Sequence, residues 1–285
     1  MIQDIGEKLF KNEFSLCRRP AASDRVIVYR SGEMAYLAEN NIIGFPKVCQ
    51  LPAEYADKLT YLFEVEGEGF FLLLTDGDIT EVLPEKYSFG SIRKIRSTDP
   101  QPRKYLFAGF TAQHLAEWYL NSRFCGRCGA ENVHDESERA MICPECGKKV
   151  YPRIDPAVIV GVVSGEKLLI TRYRKGFAHN ALVAGFTEIG ESLEATVSRE
   201  VMEETGIKVK NIRYYKSQPW GIAANILAGF FCEAEGDCAI HMDENELKYA
   251  EWLRSDEIVL QPYDHSLTNE MMKLFKSIGR RVLEK

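Results

Sequence analysis

The stretch GFTEIGESLEATVSREVMEETGI, from Gly185 to Ile207, decides the fold because it joins a glycine-punctuated loop to a strongly helical run. Within that run, Leu193, Val197 and Val201 recur at helical spacing. This spacing predicts a helix that turns one apolar stripe towards a core. The rest of the helix is strongly acidic, and its acidic residues carry the functional information.

Three glutamates share one face of this helix. Glu200, Glu203 and Glu204 stand at positions i, i+3 and i+4, so their carboxylates are neighbours. Like charges at these spacings repel each other and destabilise a helix. A hard divalent cation bound through oxygen, Mg²⁺ or Mn²⁺, would turn that repulsion into a binding site. A solvated acidic surface is the alternative while the three glutamates are considered alone.

The wider pattern around these glutamates is long and specific. It runs Gly185, five residues, Glu191, seven residues, Arg199-Glu200-Val201, one residue, Glu203-Glu204, one residue, Gly206-Ile207. At every defined position it resembles the Nudix box. The resemblance implies an α/β (α+β) protein whose carboxy-terminal part is a Nudix α/β/α sandwich with a mixed sheet. It also implies metal-dependent hydrolysis of nucleoside diphosphates linked to another moiety.

The same resemblance implies roles for individual side chains of the box. Glu200, Glu203 and Glu204 would be catalytic residues and ligands of Mg²⁺ or Mn²⁺. Glu204 would hold the central metal position or act as the base towards the attacking water. Arg199 would belong to the catalytic set by orienting a neighbouring glutamate, with Glu191 as its partner.

Four cysteines form a second motif, Cys125-x2-Cys128 followed by Cys143-x2-Cys146. Each pair presents two sulfurs to one side, and two such pairs supply four thiolates to one tetrahedral Zn²⁺ per chain. A closed four-thiolate site has no open coordination position, so we expect a structural zinc. Zinc ribbons also occur in nucleic-acid binders, which leaves that role open as an alternative. The other cysteines lack such spacing and are expected to pack or make ordinary polar contacts: Cys17, Cys49, Cys232 and Cys238.

The bulk composition describes an ordinary globular protein of two or three units. The chain has 285 residues, of which 45% are hydrophobic and 27% charged, with a net charge of −6. That charge argues against broad non-specific binding to nucleic acid. Charges interrupt the first residues and no apolar run is of spanning length, so we expect no membrane association and a cytoplasmic location. We predict a small β-rich α+β domain over 1–110, a helix with the zinc ribbon over 111–150, and the Nudix domain over 151–285.

The motifs that accompany the box indicate one particular group of Nudix enzymes. GSIR at 90–93, EWYLNSRFCGRCG at 117–129, YPRIDPAVIV at 151–160 and SQPW at 217–220 resemble segments of the Nudix NAD(H) diphosphatases. Those enzymes split NAD(H) into AMP and nicotinamide mononucleotide, some remove NAD caps from RNA, and they are typically homodimers. Two alternatives stay open. One is a pyrophosphatase for ADP-ribose or another nucleoside diphosphate derivative, and the other is a non-catalytic nucleotide-sensing or RNA-binding protein.

This narrower resemblance implies further site residues. Tyr151 and Phe186 would stack on the rings of the substrate, with simple core packing as the alternative. Glu246 would be an additional metal ligand, and Ala184 would offer its backbone carbonyl to the metal. Arg93 would contact substrate unless it is a solvated loop charge. The main substrate-contact segment would consist of Gln218, Pro219, Trp220, Gly221, Ile222, Ala223, Ala224 and Asn225.

That segment departs from the family pattern, Ser-Gln-Pro-Trp-Pro-Phe-Pro-x-Ser. Gly221, Ile222 and Ala223 replace Pro-Phe-Pro, and Asn225 stands where the pattern has serine. We expect the loss of two prolines to make the segment more flexible and the loss of phenylalanine to remove a large apolar contact. The substitution leaves the catalytic motif intact and bears on the choice of substrate.

Overall fold

A computed structural model describes residues 1–6, 9–75, 79, 82–176 and 178–284. The chain divides into two compact units. The amino-terminal unit comprises Ile2–Arg153 and Trp220–Ala224, and the carboxy-terminal unit comprises Met1, Ile154–Pro219 and Asn225–Lys285. The finer division into domains at 1–110, 111–150 and 151–285 stays a prediction.

The amino-terminal unit contains a mixed sheet covered by one long helix. Its elements are β1 (Phe10–Lys11), β2 (Arg25–Arg30), β3 (Glu33–Glu39), β4 (Ile42–Gly44), β5 (Thr60–Val65), β6 (Glu68–Leu74), β7 (Ser88–Gly90), α1 (Ile92–Arg96) and α2 (Arg103–Asn121). The strand order is β1-β5-β6-β2-β3-β4, with β7 on β3, and β2 runs parallel to β6. The helix α2 packs Leu106, Phe107 and Phe110 into the apolar core of this unit.

The zinc-ribbon segment follows α2 directly. It has three short strands, β8 (Val133–His134), β9 (Met141–Ile142) and β10 (Lys149–Val150), in the order β10-β9-β8. Each cysteine pair turns sharply, since the Gly129 amide donates to the Cys125 carbonyl and the Gly147 amide to the Cys143 carbonyl. Both glycines have positive φ, of 79° and 70°, which a residue with a side chain seldom adopts.

The carboxy-terminal unit is built on a six-stranded mixed sheet. Its elements are β11 (Asp155–Ser164), β12 (Lys167–Tyr173), β13 (Val183–Phe186), α3 (Leu193–Thr205), β14 (Lys208–Trp220), β15 (Asn225–Glu235), β16 (Leu247–Arg254) and α4 (Leu267–Ile278). The strand order is β14-β15-β11-β12-β16, with β13 also on β11. The pair β11–β15 is parallel, whereas β11–β12, β11–β13 and β12–β16 are antiparallel.

A helix covers each face of this sheet. Ile159 and Val163 of β11 pack in the cluster that contains α4, whereas Val158, Val160 and Val162 pack in the cluster that contains α3. This alternation follows from the two-residue period of a strand that is buried on both faces. The expected α/β/α sandwich with a mixed sheet is therefore confirmed. Within the described part of the chain, no helix combines the length and apolarity needed to span a membrane.

Local signals explain where the box helix α3 begins and ends. Ser192 precedes the helix, and its hydroxyl accepts a hydrogen bond from the Ala195 amide at 3.1 Å, which satisfies a free N–H of the first turn. Gly206 follows the last helical residue with φ of 71° and ends the helix in the left-handed region. Of the predicted stripe, Val197 and Val201 are completely buried, and Leu193 is half-buried against the same core.

Candidate active site

The carboxylate of Glu200 lies directly against the backbone of β13. A Cβ atom built on Gly185 would stand 1.8 Å from the Glu200 Cδ atom, so any side chain at this position would displace the Glu200 carboxylate. The first glycine of the box therefore makes room for one of its glutamates. The separation of the two residues along the sequence gives no hint of this contact, which arises from the packing of β13 on α3.

Glu204 is the most deeply buried carboxylate of the cluster. Its side chain is 2% exposed, and neither carboxylate oxygen has a hydrogen-bond partner. Burial raises the pKa of Glu204 to about 8, and the charges of Glu246 and Glu200 push it in the same direction. The nearby Ala184 amide and Tyr173 hydroxyl offset only part of that rise. A buried carboxylate without a partner is costly unless a cation or proton joins it.

Glu246 joins the box glutamates from a distant part of the chain. It lies just before β16, and its backbone carbonyl accepts a hydrogen bond from the Arg174 amide at 2.8 Å. Its charge acts on both Glu200 and Glu204, raising the pKa of each after the larger effect of burial. The structure therefore brings Glu246 within electrostatic reach of Glu200 and Glu204, two of the box glutamates.

Arg199 forms hydrogen bonds to several carboxylates of this site. Its Nη1 donates to Glu200 Oε1 at 2.7 Å and to Glu203 Oε2 at 2.9 Å. Its Nε and Nη2 donate to the two oxygens of Glu191 at 2.7 and 2.9 Å, and Nη2 also donates to the Phe186 carbonyl at 2.8 Å. The Arg199 guanidinium lowers the pKa of Glu191 to about 2, with the Glu188 amide contributing. The pairing of Arg199 with Glu191 is thus present as expected.

These residues fit a hard divalent cation. Glu204 offers two oxygens with no protein partner, and Glu200, Glu203 and Glu246 add further carboxylates. The Ala184 carbonyl belongs to β13 and accepts a long hydrogen bond from the Tyr173 hydroxyl at 3.4 Å. An all-oxygen donor set of high negative charge is what Mg²⁺, Mn²⁺ or Ca²⁺ prefers. Tyr173 itself, half-buried on β12 near Glu204, had no signal in the sequence.

The four cysteines fit zinc. The Sγ atoms of Cys125, Cys128, Cys143 and Cys146 all lie within 4.8 Å of one another. Sulfur–sulfur distances are 3.6 Å for Cys125–Cys146 and 3.4 Å for Cys128–Cys143. A tetrahedron with Zn–S bonds of about 2.3 Å places its sulfurs about 3.8 Å apart. The structural zinc expected from the spacing is therefore supported by geometry.

The two candidate stacking aromatics are both exposed. Tyr151 is 54% exposed and its hydroxyl donates to Glu138 at 3.0 Å, while Phe186 is 52% exposed at the end of β13. Neither ring is a core aromatic, which removes the alternative considered above. Arg93 is exposed on α1, a helix capped by Ser91.

The residues at the start of the divergent segment have defined structural partners. Gln218 is completely buried; its amide nitrogen donates to the His265 carbonyl and its oxygen accepts from the Leu267 amide, both at 2.7 Å. Trp220 packs edge-on against Phe110 at 5.4 Å between ring centroids. The guanidinium of Arg96 lies 5.3 Å above the Trp220 ring, a contact that the sequence did not reveal.

The rest of the segment is a short turn. Ile222 is buried in the core of the amino-terminal unit, and the effect of the missing phenylalanine on substrate choice stays a prediction. Gly221–Ala223 forms a short 3-10 turn, and Ala224 follows in the left-handed region. Asn225 is buried and its Oδ1 has no partner. Pro219 is exposed and precedes the turn.

Gly221 makes a close backbone approach that can be tested. A Cβ atom there would lie 2.1 Å from the Phe110 carbonyl oxygen. We expect Gly221→Ala to displace the turn, lower the stability of the amino-terminal unit by about 1–3 kcal/mol and raise KM. Thermal unfolding and steady-state kinetics on NADH measure both effects. Gly44→Ala is the matched control, because its Cβ would meet only ordinary contacts of 3.8 Å or more. Equal behaviour of the two variants contradicts the prediction.

Comparison with known proteins gives the class of the protein. Residues 153–275 match the NUDIX domain, and residues 120–151 match the NADH pyrophosphatase zinc ribbon domain. Together with the mixed-sheet sandwich and the carboxylates of the box, these matches define a Nudix hydrolase that carries a zinc ribbon.

Two bacterial relatives narrow that class. The NAD-capped RNA hydrolase NudC of Klebsiella pneumoniae (strain 342) is 38% identical over 206 residues, which cover 71% of this chain and 74% of the relative. The protein of the same name from Escherichia fergusonii is 41% identical over 181 residues, covering 62% and 68%. A crystal structure of a NUDIX hydrolase from Nitrosomonas europaea covers 57% of this chain and 90% of its own at 22% identity, with a TM-score of 0.46, a likeness too distant to inform function. The chain belongs to the Nudix NADH pyrophosphatase family.

Proposed function

We propose that this enzyme hydrolyses the pyrophosphate bond of NAD(H) to AMP and nicotinamide mononucleotide. By the same cleavage it would remove NAD caps from RNA. The main observation in favour of this proposal is the buried carboxylate of Glu204, which has no hydrogen-bond partner and lies near Glu200 and Glu246. The match to the NADH pyrophosphatase zinc ribbon supports NAD(H) as the substrate, and the names of the relatives support NAD-capped RNA. A complete set of box glutamates makes a non-catalytic sensor the weaker explanation.

The proposed metal ligands are Glu200, Glu203, Glu204 and Glu246, with the carbonyl of Ala184. When bound, Mg²⁺ or Mn²⁺ offsets phosphate charge and lowers the pKa of the attacking water. The protein must hold mutually repelling carboxylates in one place before the ion arrives. Arg199 does so for Glu200 and Glu203 through charge-assisted hydrogen bonds, and its own position is held by Glu191.

Glu204 has a second proposed role as the base that accepts a proton from water. Its oxygens are free of protein hydrogen bonds, so either can accept that proton. Burial raises its pKa to about 8, which makes the carboxylate a stronger base than an exposed glutamate. The two roles predict the same loss on replacement, because each requires the negative charge at this position.

The proposed substrate contacts fall into two kinds. Tyr151 and Phe186 expose flat rings suitable for stacking on the bases, and Arg93 exposes a positive charge suitable for phosphate. Residues 218–225 contribute to substrate binding mainly through the shape of their backbone. The Gln218 amide is fully engaged with backbone groups, so its proposed role is to position the segment. Asn225, whose Oδ1 is unpaired, is the side chain best suited to a direct polar contact.

The second candidate function keeps the chemistry and changes the substrate to ADP-ribose or another nucleoside diphosphate derivative. It is favoured by Gly221, Ile222 and Ala223, which replace the family's Pro-Phe-Pro. We also propose that the protein works as a homodimer, as the family resemblance implies, and in the cytoplasm.

A substrate panel separates the two functions. We expect higher kcat/KM for NADH or NAD⁺ than for ADP-ribose with Mg²⁺ or Mn²⁺, and release of AMP and nicotinamide mononucleotide in equal amounts. NAD-capped RNA should lose its cap to leave a 5′-monophosphate. The Glu204→Gln protein, prepared in parallel, controls for contaminating hydrolases. Much faster cleavage of ADP-ribose than of both NADH and NAD⁺ contradicts the NAD(H) assignment.

A further inference from the structure

Thr196 is a buried polar residue near the start of α3 to which the box assigns no role. The box pattern leaves all seven positions between Glu191 and Arg199 undefined, and Thr196 occupies one of them. Its side chain is completely buried, although threonine is more often exposed. Buried hydroxyl groups are nearly always hydrogen-bonded in native proteins, so its partner indicates what the residue does.

The Thr196 hydroxyl lies within hydrogen-bond distance of two acceptors. They are Oε2 of the Glu191 carboxylate at 3.0 Å and the Ser192 backbone carbonyl at 3.1 Å. The hydroxyl has one proton and donates it to one of them at a time. The Ser192 carbonyl already accepts the Thr196 amide at 3.0 Å, whereas an ionised carboxylate is the stronger acceptor. The hydroxyl therefore donates to Glu191.

Four donors hold the Glu191 carboxylate. Arg199 donates from Nε to Oε1 at 2.7 Å and from Nη2 to Oε2 at 2.9 Å. The Glu188 amide donates to Oε2 at 3.1 Å, and the Thr196 hydroxyl donates to the same oxygen. A carboxylate has about four acceptor sites, so these bonds together fix the orientation of Glu191.

Arg199 in turn uses all five of its N–H groups. Besides the two bonds to Glu191, Nη2 donates to the Phe186 carbonyl at 2.8 Å. Its Nη1 donates to Glu200 at 2.7 Å and to Glu203 at 2.9 Å. The guanidinium is a rigid plane, so a rotation that breaks one of these bonds disturbs the others. Of its acceptors, Glu191 and the Phe186 carbonyl are not proposed metal ligands, so they set the orientation of Arg199.

Thr196 connects Glu191 to the same helix that carries the proposed metal ligands. Glu191 lies in the loop between β13 and α3, whereas Thr196, Glu200 and Glu203 all belong to α3. A hydrogen bond from a buried helical side chain therefore fixes the loop carboxylate relative to the glutamates. Sites built on rigid elements with supporting hydrogen bonds hold their geometry more closely than sites supported by loops alone.

We propose that Thr196 is a positioning residue of the active site. Its hydroxyl orients Glu191, and Glu191 orients Arg199. Arg199 then holds Glu200 and Glu203 in place for a divalent cation. This role rests on the proposed metal-dependent hydrolysis and adds to it a residue that the box does not define.

Thr196→Val removes the hydroxyl and keeps the branched shape of the side chain. We expect Mn²⁺ to bind about tenfold more weakly and kcat for NADH to fall about tenfold, the lower end of the effect of losing an outer partner of a metal site. KM for NADH should stay nearly unchanged, because the buried side chain cannot contact substrate. Electron paramagnetic resonance of free Mn²⁺ measures binding to the zinc-loaded protein and requires no turnover.

Thr205→Val is the matched control for stability. Thr205 is equally buried on α3, but its hydroxyl donates to a backbone carbonyl, that of Val201, at 2.6 Å. This variant should lower the melting temperature much as Thr196→Val does, and leave Mn²⁺ binding and kcat close to those of the unmodified protein. Thr196→Ser keeps the hydroxyl and should also retain both. Thr196→Ala removes the hydroxyl with less crowding than valine, and it repeats the test if Thr196→Val does not fold.

Two results would overturn the proposal. Mn²⁺ binding and kcat of Thr196→Val equal to those of Thr205→Val would show that the threonine only packs. A loss in Thr196→Ser as large as that in Thr196→Val would show that side-chain shape matters and the hydroxyl does not.

Glu204→Gln, measured in parallel, separates this role from the proposed function. Near-normal turnover by Glu204→Gln contradicts the proposed hydrolytic mechanism itself. Loss of turnover in Glu204→Gln, together with Thr196→Val that behaves like Thr205→Val, refutes only the role of Thr196.

Discussion

Glu204→Gln lowers kcat for NADH hydrolysis by about 10³-fold, since it removes the charge needed at the centre of the carboxylate cluster. The glutamine is nearly isosteric, so the side chain still fills the same buried space. Because neither Glu204 oxygen has a hydrogen-bond partner, no internal bond is lost. Steady-state kinetics with Mg²⁺ or Mn²⁺ measure the effect.

The same variant lowers activity but should stabilise the metal-free protein against unfolding. Burial raises the pKa of Glu204 from its usual value to about 8, so at neutral pH the folded state must take up a proton or bury a charge. The resulting loss of folding stability grows as the pH rises from the pKa of Glu204 in the unfolded chain towards its higher pKa in the folded protein. Glutamine does not ionise and avoids this loss. Metal-free Glu204→Gln should therefore melt at a higher temperature than the metal-free unmodified protein at pH 7.

Glu194→Gln is the matched control for both measurements. Glu194 lies on the first turn of the same helix and is exposed, outside the carboxylate cluster. Its replacement should leave kcat nearly unchanged. If Glu204→Gln turned over NADH at a rate near that of Glu194→Gln, the assignment of Glu204 as metal ligand or base would be wrong.

The sequence predicted those parts of the site that depend on short-range spacing. Glu200, Glu203 and Glu204 share a helix face because three and four residues make about one turn. The zinc cysteines are equally local, since each pair occupies one tight turn. Glu246 was reached only through the family resemblance, because its approach to the box requires the whole sheet.

Features made by packing between distant segments were outside the reach of sequence patterns. The fit of Glu200 against Gly185 and the approach of Tyr173 to Glu204 depend on how β12, β13 and α3 meet. The burial of Ile222 accompanies the close approach of Gly221 to the Phe110 carbonyl of α2.

Cys143→Ser should remove zinc and unfold much of the ribbon. Zinc content should fall from about one ion per chain to nearly none, because a closed tetrahedral site loses one of four thiolates. The binding free energy of a structural zinc is folding free energy, of the order of 10 kcal/mol in small zinc domains. Cys143 is buried, so the serine hydroxyl is also left without a suitable partner.

Three measurements detect the loss of zinc and of the folded ribbon. They are metal analysis of protein purified without chelator, thermal unfolding, and limited proteolysis. The ribbon has only short strands, β8 to β10, so without zinc we expect new cleavage between residues 122 and 150. Cys49→Ser is the control, because Cys49 is exposed and lies outside the cysteine cluster. Its zinc content and melting temperature should match the unmodified protein. A Cys143→Ser protein that keeps its zinc and its melting temperature would show that the four sulfurs do not form a structural metal site.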